Sequence, residues 1–142
     1  PISPRYMFVE ILTGLVFFAI WYRLVAMQLN PQWGLLLAQW AFALGLVAII
    51  FIDWELFIIP DELNGYLLVV AMLFHAFAGS LGTAFAGWIA GWGALWGIAF
   101  FGRVGFGRDA MGRGEIKMMR AVGAFLGPAL LFANLMIAVV LG

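Results

Sequence analysis

The sequence predicts an all-α fold, a polytopic membrane helix bundle of about five transmembrane helices. Three observations lead there. Of the 142 residues, 66% are hydrophobic and 10% charged, with a mean hydropathy of +1.10; soluble domains carry roughly 45–50% and about 25%. Uncharged runs extend from Leu24 to Ile52, from Leu63 to Gly102 and from Ala121 to Gly142, and a span needs about 20 apolar residues. These runs are continuous, whereas a transmembrane β-barrel needs short alternating segments.

The elements follow in order. A first helix, 6–29, tolerates Glu10 and Arg23 near its ends. Glu10 lies within reach of Thr13 and Gly14 on one helical face, and a structural hydrogen bond rather than catalysis is its expected role. The second, 33–52, runs up to Asp53. Pro60 cannot extend a helix, and Asp61 after it is suited to N-cap the third, 62–78. The turn Gly79-Ser80-Leu81-Gly82 divides the long middle run and opens the fourth helix, 83–101. The fifth, 116–141, follows a glycine-rich loop, and Glu115 falls in its first turn, where the helix dipole favours an anion. In the fourth helix Trp88, Trp92 and Trp96 recur every four residues beside Gly87, Gly91, Gly93 and Gly97. That Gly/Trp face of helix 83–101 suits close packing inside the bundle, or contact with other membrane subunits. His75 reads as a hydrogen-bonded residue within the bundle.

The net charge is zero, so no bulk field points to nucleic acid. With no Cys and one His, no structural zinc site is expected, and neither a metal nor a cofactor is called for. Residues 1–142 read as a single domain. The opening Pro1-Ile2-Ser3-Pro4, without an initiator Met, reads as a chain that begins mid-sequence, and its residues lack the basic region of a signal peptide. With five spans, Arg5, Arg103, Arg108, Arg113, Lys117 and Arg120 fall on one side and only Arg23 on the other. The positive-inside bias then places the N-terminus and both acid-bearing loops in the cytoplasm, with the lipid bilayer as constant partner.

Four of the seven acids, Asp53, Glu55, Asp61 and Glu62, crowd the connection between the second and third helices. Glu115 stands at the start of the fifth. Two carboxylates brought together share a proton; one activates water while the other protonates the carbonyl or leaving group. The ordinary alternatives are a helix cap for Asp61, a membrane-edge charge for Asp53 and a dipole partner for Glu115.

At three blocks the sequence resembles the type IV prepilin peptidases, membrane aspartic proteases of the GxGD kind. Pro1-Ile2-Ser3-Pro4-Arg5-Tyr6, with Val9-Glu10 and Thr13-Gly14, resembles that family's PISxRYPxVExxTG pattern. Phe51-Ile52-Asp53 with Ile59-Pro60-Asp61 resembles FIDxxxxxIPD. Gly112-Arg113-Gly114-Glu115-Ile116-Lys117, with Gly123-Ala124-Phe125-Leu126-Gly127, resembles GxGDxK…GAxxG. The resemblance implies an aspartic endopeptidase of a bacterial-type inner membrane that cleaves the basic leader peptides of type IV prepilins or pseudopilins at the cytoplasmic face. Asp53 and Glu115 take the catalytic positions, Asp61, Gly112, Gly114 and Lys117 supporting ones, and Glu55 and Glu62 would attract a basic substrate. Where the motif has Asp this chain has Glu115, and the four-cysteine zinc and methyltransferase region that lies upstream of the first block in many members is expected to be absent. The alternative is a catalytically altered homologue serving as a structural subunit of a larger membrane complex.

Overall fold

Continuous apolar sequence with few breakers favours helix throughout, because in lipid a helix satisfies every backbone group internally. The computed structural model describes residues 3–107 and 112–141, and 88% of these are helical. The helices are α1 (Pro4–Trp21), continued by a π-helical turn (Tyr22–Ala26), α2 (Trp33–Leu56), α3 (Asp61–Phe77), α4 (Leu81–Phe106) and α5 (Arg113–Leu141). Four helical stretches are long and apolar enough to cross a membrane, Pro4–Ala26, α2, α4 and α5. At 17 residues α3 is shorter, about 25 Å at 1.5 Å per residue. The expected Arg108 lies outside the described residues.

Two units divide the chain, Pro1–Ile58 and Ile59–Gly142. In the first, α1 packs on α2. Phe17 stacks on Trp40 with ring centroids 5.3 Å apart, and the indole Nε1–H donates to the Phe17 carbonyl at 3.1 Å. That bond satisfies the one polar atom of the half-buried Trp40 side chain. Glu10 is exposed and its side chain makes no hydrogen bond among the described residues, so the expected structural bond is not seen there.

In the second unit, α4 and α5 approach backbone to backbone. Ala84, Gly87, Gly91 and Leu95 form the buried stripe of α4. A Cβ on Gly87 would fall on the Gly123 carbonyl, and one on Gly91 on the Met119 carbonyl. Small residues at helical spacing permit this contact. Trp92 and Trp96 lie about 100° round the helix from Gly91 and Leu95. They are 46% and 53% exposed, stack on each other at 6.1 Å, and Trp96 stacks on Phe100 at 5.5 Å. Within this unit the glycines make the internal contact and these two tryptophans face outward. Gly93 and Gly97 have open space beside them.

His75 joins three elements. Its Nε2 lies 3.1 Å from the Phe125 carbonyl on α5 and its Nδ1 2.7 Å from Ser80 Oγ, just before α4. A carbonyl only accepts, so Nε2 donates to Phe125, and the Ser80 hydroxyl, which can donate or accept, pairs with Nδ1. The kink in α5 lies close by. Gly127 adopts φ 77°, a region that favours glycine, and Pro128 supplies no N–H to the helix.

Candidate functional site

In the first unit the opening block meets the Phe51-Ile52-Asp53 block. Ser3, Arg5, Tyr6 and Val9 from one and Phe51, Ile52 and Glu55 from beside the other line a cavity of about 320 Å³. Arg5 Nη1 donates to Glu55 Oε1 at 3.2 Å. Both side chains are more than half exposed, so the pair contributes at most about 1 kcal/mol.

Asp53 is exposed in the last turn of α2, and its carbonyl accepts the Phe57 N–H at 2.8 Å. The acids therefore lie on the helix rather than in a loop; the connection to α3 is only Phe57-Ile58-Ile59-Pro60. A helix C-terminus carries negative partial charge and prefers cations, yet this one has two acids and no basic residue in its last turn. Arg5 answers Glu55. The Asp53 carboxylate has no ion pair or hydrogen bond among the described residues.

In the second unit the Ile59-Pro60-Asp61 segment meets the start of α5. Pro60, not Asp61, is the N-cap of α3, and no side chain bonds there. Asp61 instead opens the first turn, and its Oδ2 accepts from Lys117 Nζ at 2.6 Å. Across this pair, a Cβ on Gly114 would stand 3.0 Å from Ile59 Cβ, so a glycine lets the first turn of α5 rest on the segment before α3. Gly112 lies just before α5, its carbonyl accepting the Ile116 N–H at 3.4 Å. Glu115 and Glu62 are exposed in the first turns of α5 and α3, where the dipole favours them. Of the expected catalytic pair, Asp53 belongs to the first unit and Glu115 to the second.

The second unit also holds a cavity of about 240 Å³, lined by Asp61, Asn64, Gly65, Leu68, Trp88, Lys117 and Arg120. Asn64 is 6% exposed, and neither Nδ2 nor Oδ1 has a hydrogen-bond partner among the described residues. Asn64 and its role are absent from the sequence expectations. The available signal is spacing: Asn64 follows Asp61 by three residues as Arg120 follows Lys117, so each pair shares a helical face. No group of three potential metal ligands occurs among the described residues.

Residues far apart in the chain thus meet in pairs, the first block with the second and the second with the third. The model of the type IV leader peptidase family matches residues 40–142, a stretch that includes Asp53, Asp61 and Glu115. The chain belongs to the type IV leader peptidase family. Among relatives within it, the prepilin leader peptidase/N-methyltransferase of Aeromonas hydrophila is 41% identical over 132 residues, covering 89% of this chain and 42% of the relative. The protein of that name from Aeromonas salmonicida (strain A449) is 36% identical over 150 residues, covering 99% and 48%. That of Neisseria gonorrhoeae is 32% identical over 149 residues, covering 98% and 49%. The chain spans about half the length of these family members. No solved structure matches it.

Proposed function

We infer that this chain is the peptidase part of a prepilin leader peptidase, an aspartic endopeptidase acting on basic leader peptides of type IV prepilins or pseudopilins. The observation that carries the reading is Asp53: an exposed carboxylate without a charge partner among the described residues, at the helix end where the dipole opposes it. Fold stability gives no reason for an acid there, whereas hydrolysis gives one. Family membership supplies the reaction class, and the match runs through Asp53 and Glu115 alike.

In the proposed mechanism Asp53 and Glu115 hold one proton between them. The ionised carboxylate takes a proton from water as the water oxygen bonds to the scissile carbonyl carbon, and the protonated partner donates to the carbonyl oxygen. Collapse of the tetrahedral intermediate breaks the C–N bond, and the amide nitrogen leaves as an amine after accepting a proton from the dyad. Asp61 and Lys117 are positioning residues that fix the start of α5, and Gly112 and Gly114 allow its close approach. Glu62 and the Arg5-paired Glu55 favour a basic leader. The site faces the cytoplasm of a bacterial inner membrane, because Arg5, Arg103, Arg113, Lys117 and Arg120 then lie inside.

Cleavage of several prepilins by the purified chain in proteoliposomes tests this reading. Asp53→Asn and Glu115→Gln should abolish turnover, since an amide can neither take nor give the shared proton. Glu115→Asp should accelerate it, because the extra methylene shifts the carboxylate by roughly an ångström, a displacement worth about 10²-fold. Inertness of both the parent and the Glu115→Asp variant, with the fold intact, would overturn the assignment.

A further inference from the structure

We propose that the cavity between the first turns of α3 and α5 is a binding site for a phosphoglycerol headgroup, the polar end of an anionic membrane phospholipid. Lys117 and Arg120 bring two positive charges and Asp61 one negative, leaving an excess of one cation. Lys117 Nζ is bonded to Asp61 Oδ2 at 2.6 Å, whereas the Arg120 guanidinium has no ion pair or hydrogen bond among the described residues. A buried polar side chain without partners costs about 1–3 kcal/mol, and Asn64 leaves both a donor and an acceptor in that condition.

The ligand must therefore satisfy three demands. It needs one net negative charge, acceptor oxygens for Arg120, Lys117 and Asn64 Nδ2, and a donor for Asn64 Oδ1. A phosphate diester meets the first two, and the hydroxyls of a glycerol headgroup meet the third. Phosphoethanolamine carries a donor but no net charge, and phosphocholine has neither. The remaining walls fit a headgroup at the hydrocarbon boundary. Leu68 gives an apolar side, and Trp88 is a residue type enriched at that depth. Charged side chains and helix N-termini also place the cavity at the membrane edge, where the dipoles of α3 and α5 favour an anion.

The site's occupancy needs no peptide cleavage, so its test stands apart from the peptidase reading. The purified full chain would be titrated with phosphatidylglycerol, phosphatidylethanolamine or phosphatidylcholine in mixed micelles, with bound lipid read by native mass spectrometry and stability by thermal unfolding. Phosphatidylglycerol should bind in preference to the other two and raise the melting temperature. Loss of a charge-assisted hydrogen bond in Arg120→Gln should weaken it roughly tenfold. Asn64→Leu should raise the melting temperature in phosphatidylcholine yet remove the increment from phosphatidylglycerol; a purely structural Asn64 would leave that increment intact. Competition by soluble glycerophosphoglycerol, a monoanionic diester, but not by inorganic phosphate, would show that the headgroup is read. Equal binding of the three lipids, an unchanged Arg120→Gln, inorganic phosphate binding as tightly as the lipid, or displacement of the lipid by a prepilin leader peptide would each overturn the proposal.

Discussion

The Lys117–Asp61 contact separates structural from functional use of one residue pair. Its side chains are 41% and 66% exposed, so screening limits what the 2.6 Å bond adds to stability. Lys117→Met should lower unfolding stability by less than about 1 kcal/mol. Its effect on cleavage should be much larger, since the contact holds the turn bearing Glu115, and Lys117→Arg should restore most of the loss. Melting and cleavage measured on the same preparations check this; proportionate losses in the two would make the pair merely structural. His75 is the converse case. His75→Phe removes two hydrogen bonds tying α3 to α5 and to the turn before α4, which should cost about 1–3 kcal/mol in chemical unfolding. At this scale the sequence was partly readable. His75 as a hydrogen-bonded residue follows from its lone polar ring in an apolar helix, whereas the Asp61–Lys117 pairing joins positions 56 apart and has no local signal.

Among the elements, α4 tests the glycine reading most sharply because it carries two kinds of glycine. Gly87→Ala sets a methyl group against the Gly123 backbone, which cannot swing aside as a side chain can. Overpacking of this kind costs about 1–3 kcal/mol or more. Gly93→Ala and Gly97→Ala enter open space and, by helix propensity, should be neutral or stabilising by up to about 1 kcal/mol. Thermal unfolding in one detergent ranks the three, and a Gly93→Ala as damaging as Gly87→Ala would contradict the packing described. Periodicity alone could not tell these glycines apart, since both GxxxG pairs have the same spacing. What decides between them is which face α5 covers, a property of tertiary packing. Helix existence and order were readable throughout, because continuous apolar sequence leaves few alternatives. Helix ends were less so: α2 runs on through Asp53 and Glu55 to Leu56, past the acids expected to stop it, and ends only where Phe57 turns to φ 52°.

For the whole molecule, the helical membrane architecture and the family were both readable, one from composition and the other from three ordered blocks. The proposed topology makes a separate prediction. Because the chain has no cysteine of its own, single cysteines report without background. Replacements at Arg103 and Gly112 should resist a probe confined to the periplasm, while one at Asn30 should react with it. Labelling of Arg103→Cys from outside would reverse the orientation and the proposed site with it. The central claim is that Asp53 and Glu115 act as one catalytic pair, and cysteine cross-linking tests it most directly. Asp53→Cys with Glu115→Cys, oxidised in native membranes, should form an intramolecular disulfide as readily as the control pair Ile59→Cys with Gly114→Cys, where a Cβ on Gly114 would stand 3.0 Å from Ile59 Cβ. Cross-linking of the control alone, with the Asp53→Cys/Glu115→Cys variant folded and its thiols reactive, would contradict the dyad.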